Sequence, residues 1–424
     1  MNLTLKKNIT TSAAHQRLLH YFCKHCSFVF REPNGFLKYP FIVPGGTYHH
    51  QLWDWDSFWL SRALLRSRRW FSTASNETIK KYVKGSWLNF FENQAPDGTV
   101  SILLQPDQRD VFGCSNLYGP ETNQAKPVFG QMALDLMEAG EGSEWIKPWF
   151  PKLMLFYRHW LEKYGSPTGL LVWGSDLAIG VDNDPATYGR PDFSSANLLL
   201  NSLFYADLAA TKKIAEKLGR KKESKELTQW MKQISGALQN HCWDPRDQFF
   251  YSVDIQSKDR RRDVVPADVP LGMDMTWNSL PLKIKSFTGL LPLWCKVATR
   301  RQADALVKTH FGKNSTLLAP YGIRSLSRDE KMYSPSINSC NPSNWLGPIW
   351  IVANFMVQEG LRQYGYDILA NKISDATLRL LEKDLKKTGT LHECYHPDTG
   401  KPNFNKDFIS WNVLALCMKP VSQQ

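Results

Sequence analysis

Acidic side chains set among tryptophans and glycines recur in separate loops of the chain, a pairing suited to handling sugars. The first stretch runs Tyr39-Pro-Phe-Ile-Val-Pro-Gly-Gly-Thr-Tyr-His-His-Gln-Leu-Trp-Asp-Trp-Asp-Ser-Phe-Trp59. Trp53, Trp55 and Trp59 alternate there with Asp54 and Asp56, just where a helix should begin. Aromatic faces stack on the apolar face of a pyranose, and carboxylates accept hydrogen bonds from its hydroxyls. The competing reading buries the tryptophans in a core and leaves Asp56 as a helix cap.

A second loop, Trp173-Gly-Ser-Asp-Leu-Ala-Ile-Gly-Val-Asp-Asn-Asp-Pro185, gathers Asp176, Asp182 and Asp184 around Gly180. Carboxyls held close repel, which can keep one protonated at neutral pH and so create a general acid. Calcium would also suit such oxygens, but the spacing and terminal glutamate of an EF-hand are missing. In the third, Leu391-His-Glu-Cys-Tyr-His-Pro-Asp-Thr-Gly400, His392 to His396 match the zinc pattern H-E-x-x-H. That pattern works on a helix, where both imidazoles share a face. Gly389 upstream and Pro397 directly after His396 disfavour a helix, and no His or Glu follows to complete the set. No metal and no cofactor are therefore expected, and Glu393 is left as a lone carboxylate suited to activating water. A fourth stretch, Asn344-Trp-Leu-Gly-Pro-Ile-Trp350, opens a helix, and Trp345 either walls a pocket or simply packs. Cys23-Lys-His-Cys26 has no second pair to make a metal site.

Such loops need a rigid frame, and the pattern between them is helical. The spacing predicts helices over His15–Phe22, Asp56–Arg66, Asn76–Glu92, Gln131–Glu138, Ser143–Tyr164, Ser195–Leu218, Glu223–His241, Trp277–Phe287, Arg301–His310, Trp345–Tyr364, Asp367–Lys387 and Lys406–Met418. Asp367 suits an N-cap and Gly389 a left-handed stop. Strand-like stretches are short, as at Phe249–Val253, and no strand–helix–strand alternation appears. An all-α fold of paired helices follows, a closed barrel being the natural arrangement, with residues 1–424 as a single domain.

Composition narrows the class. The chain has 424 residues, a formal charge of +12 and 16 tryptophans. Its densest basic runs, Lys212-Lys213, Arg220-Lys221-Lys222 and Arg260-Arg261-Arg262, are not interleaved with a nucleic-acid motif. They read as solvated faces, so no nucleic-acid partner is expected. Met1 to Ala14 holds no continuous apolar segment, and no run of about 18 apolar residues occurs, so neither export nor a membrane partner is expected. Eight scattered cysteines agree with a reducing, cytoplasmic setting.

Together these motifs resemble the inverting (α/α)6-barrel glycoside hydrolases: trehalases, family 63 α-glucosidases, and the mannosylglycerate and glucosylglycerate hydrolases. Pro44-Gly-Gly-Thr-Tyr48 with Trp53-Asp-Trp-Asp-Ser-Phe58 is similar to the segment that binds the non-reducing sugar, giving Asp56 that role and placing Tyr48, Trp53 and Trp55 beside it. Asn123-Gln-Ala-Lys-Pro127 is similar to the family's Gln-x-Lys-Pro segment, which brings Gln124 and Lys126 to the same subsite. Gly180-Val-Asp-Asn-Asp-Pro185 looks like the loop of the general acid, which makes Asp182 that acid. Glu393-Cys-Tyr-His-Pro-Asp-Thr-Gly400 looks like the loop of the base, and the Trp345 to Trp350 stretch like the helix start between them.

The resemblance runs from about residue 36 to 412 and has departures. Ala178-Ile179 stands where Glu-Ser is usual, and Leu346 where Arg precedes the glycine, both near bound sugar in the family. What it implies is hydrolysis of an α-glucosidic or α-mannosidic bond in a small soluble glycoside, with inversion. Asp182 would protonate the leaving oxygen while Glu393 deprotonates water on the opposite face, the carboxyls about 6.5–9.5 Å apart. Trp173 joins the substrate-binding candidates, and if the aglycone is glycerate, Arg190 or Arg324 should grip its carboxylate. Two rivals remain: a sugar epimerase using His49 or His392, and a non-catalytic carbohydrate-binding protein.

Overall fold

The computed structural model describes residues 3–6, 11–112, 123–257, 265–266, 268–270, 277–336 and 343–418. The Arg260–Arg262 run lies outside them. Helices alternate along the chain between two kinds. Outer ones are amphipathic: α1 (Ala13–His25), α3 (Thr73–Glu92), α5 (Phe150–Tyr164), α7 (Lys221–Ala237), and the helices Arg300–His310 and Asp367–Thr388. Inner ones are buried on nearly every face: α2 (Asp54–Arg66), α4 (Phe129–Leu136), α6 (Leu198–Lys217), Leu291–Trp294, Ile351–Gln363 and the 3-10 turn Ser410–Cys417.

The inner elements pack in cyclic order: α2 on α4, α4 on α6, α6 on Leu291–Trp294, then Ile351–Gln363, then Ser410–Cys417, which returns to α2. Six inner and six outer elements among the described residues thus close an (α/α)6 barrel. A helix surrounded by other helices must be apolar all round, and whatever polar groups it carries need partners. Arg62 on α2 accordingly meets Asp135 on α4 at 2.6 Å. Asp207 on α6 accepts hydrogen bonds from the amides of Gly130 and Gln131 and from Tyr157 Oη.

Four helix expectations need correction, each for a backbone reason. Trp277–Phe287 is not helical: Leu280–Pro281 pairs as a strand with Val253–Asp254, and Pro281 has no amide hydrogen to give a helix. In Lys406–Met418, Asn405 and Asp407 take positive φ, and only Ser410–Cys417 coils, as 3-10 helix. Prolines 148 and 151 delay the Ser143–Tyr164 helix until Phe150. Gly347 at φ 125° followed by Pro348 holds back the next start until Ile351. Asp367 is not the N-cap either, for Tyr366 occupies that position without a side-chain cap bond, although Gly389 does end the helix left-handed. No helix among the described residues is long and apolar enough to cross a membrane.

Candidate active site

Five segments lead directly into the N-terminal ends of inner elements, and their side chains meet in one cavity of about 350 Å³. Tyr48, Trp53, Trp55 and Asp56 come from the entry to α2, and Lys126 from the approach to α4. Asp176 to Asp182 and Tyr188 come from the loop before α6, Ser343 from the approach to Ile351, and Glu393 and Trp411 from the last hairpin and turn. A volume of this size suits a small ligand.

Asp182 and Glu393, 211 positions apart (393 − 182), therefore line the same space, with Asp56 beside them. Glu393 sits not in a loop, as the sequence suggested, but on the strand His392–Tyr395, paired antiparallel with Pro402–Lys406. Its Oε2 accepts a hydrogen bond from Asn405 Nδ2 at 3.1 Å. Asn405 Oδ1 in turn accepts from the Thr47 amide at 3.3 Å, which fixes which end of the amide faces Glu393. Asp56 accepts from Ser410 Oγ at 3.1 Å.

The acid loop is held from both sides. Asn183 Oδ1 accepts from the Trp345 amide at 2.7 Å and its Nδ2 donates to Asn344 Oδ1 at 3.1 Å, tying the loop to the next segment. Gly180 takes φ 89°, and a Cβ there would lie 2.7 Å from Trp55 Cζ2 and 2.8 Å from Lys126 Cε. Glycine is required by both conformation and space. Lys126 bridges the loop to α2, with Nζ 3.1 Å from Asp54 Oδ2 and 3.1 Å from the Ala178 carbonyl.

The loop's three acids do not act on one another as expected. Asp184 turns inward to Asn197 Nδ2 at 2.8 Å, and Asp176 accepts from the Gly189 amide at 2.8 Å. Asp182 is raised above the ordinary carboxylate value by burial first, against the lowering effect of a Ser343 hydrogen bond and Lys126. Burial also lifts Asp56 to about 7, with Asp54 adding repulsion. Glu393 is pushed up to about 8, again by burial, with further repulsion from Asp56 and Asp182. Burial and the same three acids raise Tyr48, so it stays a neutral phenol facing them. The cavity holds protons near neutral pH, as acid–base work requires.

The aromatic wall is layered. Trp55 and Trp411 face the cavity at 5.7 Å from each other. Behind them Trp345 and Trp350 stack in parallel at 3.9 Å, both buried. Trp345 and Trp350 thus support the wall instead of lining it, and Trp173 is buried against Trp160. Gln124 is also outside the lining, its amide buried without a hydrogen-bond partner among the described residues. Neither arginine reaches the cavity lining. Arg190 pairs with Asp254, and Arg324 with Asp398 at 2.5 Å and the Leu318 carbonyl at 2.7 Å. His392 pairs with Asp384 at 2.9 Å, and His396 Nδ1 accepts from the Asp398 amide, so the two imidazoles do not share a helical face. His49 lines a different surface cavity.

Sequence reasoning passed over Phe112, Leu177, Tyr188, Ser343, Asn405, Ser410 and Trp411. Leu177 lies within the second acidic loop and Ser343 directly before the Asn344 stretch, but nothing in the type of any of the seven marks it.

Comparison with known proteins gives the family and the fold. The sequence model of the mannosylglycerate hydrolase MGH1-like glycoside hydrolase domain matches residues 50–411. A mannosylglycerate hydrolase of Thermus thermophilus is 24% identical over 447 aligned residues, covering 89% of this chain and 96% of its own. The crystal structure of a GH63 mannosylglycerate hydrolase, also from Thermus thermophilus, with Tris and D-glycerate matches at TM-score 0.67 and 20% identity, covering 96% of this chain and 99% of the other. Neutral trehalase from Saccharomyces cerevisiae matches at TM-score 0.57 and 16% identity, covering 91% and 74%.

Proposed function

The chain belongs to the family of mannosylglycerate hydrolase MGH1-like glycoside hydrolases, and from that premise we propose that it hydrolyses an α-glycosidic bond of a small glycoside with inversion. The observation carrying this is that Asp182, Glu393 and Asp56, from three distant segments, share one aromatic-walled cavity. Asp182 gives its proton to the glycosidic oxygen as the bond to the anomeric carbon breaks. Glu393 takes a proton from the water whose oxygen forms the new bond on the opposite face. Asp56 accepts hydrogen bonds from glycone hydroxyls, Trp55 and Trp411 stack on the ring, and Tyr48 presents a neutral phenol to the same cavity.

Ionising these acids is costly because each is buried. Donation from the bound hydroxyls and water to Asp56 and Glu393 favours their charged forms, leaving the proton to Asp182. Asn405 and Asn183 are positioning residues, the first for Glu393 and the second for the acid loop.

The roles are separable by leaving group. An α-glycosyl fluoride departs without protonation, so Asp182→Asn should keep much of its fluoride hydrolysis while losing about 10²–10⁴-fold on an O-glycoside. Glu393→Gln should lose both. Retention of O-glycoside turnover by either variant would remove that residue from its role.

A further inference from the structure

We infer that the leaving group is neutral and ring-shaped, a second sugar residue, and not a carboxylate-bearing aglycone; this rests on the hydrolytic reading above. The first ground is charge. Among the described residues, the ionisable side chains lining the cavity, tyrosines aside, are Asp56, Asp176, Asp182, Glu393 and Lys126. The one ammonium is committed, held at 3.1 Å by Asp54 and at 3.1 Å by the Ala178 carbonyl. In the reading above Asp56 and Glu393 are ionised and Asp182 keeps its proton, so an anionic aglycone would meet like charge from those two carboxylates, with no uncommitted cation in the lining among the described residues; juxtaposed like charges are unfavourable.

The arginines that could have received it are engaged elsewhere. Arg324 is buried with Asp398, Tyr333 and the Leu318 carbonyl on its three nitrogens. Freeing it would leave the Leu318 carbonyl and the Tyr333 hydroxyl without this buried donor. Arg190 is paired through Nη2 with the buried Asp254 and lies outside the cavity lining.

The second ground is the mouth. Tyr188 is 62% exposed and Leu177 44% exposed, yet both line the catalytic cavity. Trp53 and Phe112 line the same cavity with ring centres 5.6 Å apart. Large apolar side chains left open at the entrance to a carboxyl-rich site offer faces for the apolar side of a pyranose. The Asp176 side chain beside them offers an acceptor for its hydroxyls.

The test compares substrates sharing one glycone, glucose or mannose: an α-linked disaccharide, the glycerate and glycerol conjugates, and the α-fluoride. The disaccharide should exceed the glycerate conjugate in kcat/KM by at least about tenfold. Tyr188→Ala should raise KM for the disaccharide roughly 3- to 10-fold more than for the fluoride. Cleavage of the fluoride together with equal or better turnover of the glycerate conjugate would overturn the inference and leave the hydrolytic reading standing. Failure to cleave any fluoride or glycoside would sink the hydrolytic reading and the inference with it.

Discussion

Asn405 donates a hydrogen bond from Nδ2 to Glu393 Oε2 at 3.1 Å, from a backbone held at φ 49°. This donor opposes burial and repulsion by Asp56 and Asp182, which together drive Glu393 to about 8. The bond favours the ionised form that a general base needs.

Asn405→Gly keeps the left-handed backbone and removes the donor. Glu393 should then hold its proton to still higher pH. The acid limb of kcat/KM should move up in pH and kcat should fall roughly 10- to 100-fold, with KM changing less. A variant with lowered activity but an unmoved pH profile would make Asn405 merely structural.

Gly180→Ala places a methyl 2.7 Å from Trp55 and 2.8 Å from Lys126 at φ 89°. Strain and overpacking should destabilise the protein by about 2–4 kcal/mol, read from denaturant midpoints. The acid loop must shift, so kcat should fall on O-glycosides more than on an α-fluoride. Wild-type stability and turnover would show that the loop gives way freely.

These residues differ in how far sequence could reveal them. Asp56, Asp182 and Glu393 were legible because each falls in a stretch that resembles the family's motifs, whereas residue type alone left Asp56 open to being a helix cap. Arg190 and Arg324 were not, because their partners Asp254 and Asp398 lie 64 and 74 positions away. Residue type likewise could not say that Trp350 backs a wall that Trp55 faces. The barrel was legible from helix spacing, but Trp277–Phe287 reads as a helix because apolar periodicity outweighs Pro281, and only Leu280–Pro281 within it pairs as a strand.

Glu393→Gln should cost activity and gain stability in a pH-dependent way. The folded protein raises this carboxyl from its ordinary 4.5 to about 8, so the native state binds the proton more tightly than the unfolded chain. Its stabilising contribution is complete below about pH 4.5 and is lost as pH climbs through about 8. Glutamine never ionises. The variant's advantage in unfolding free energy should therefore grow between pH 5 and pH 9, by on the order of a kcal/mol or more. A pH-independent difference would mean that Glu393 is not proton-bound in the folded state.

The central claim is a single displacement between Asp182 and Glu393, and proton NMR of the first-formed sugar tests it most directly. With an α-glucoside or α-mannoside as substrate, the β anomer should appear first and the α anomer only later, through mutarotation. Initial release of the α anomer would contradict the account, since it requires a covalent intermediate and a carboxylate acting as nucleophile.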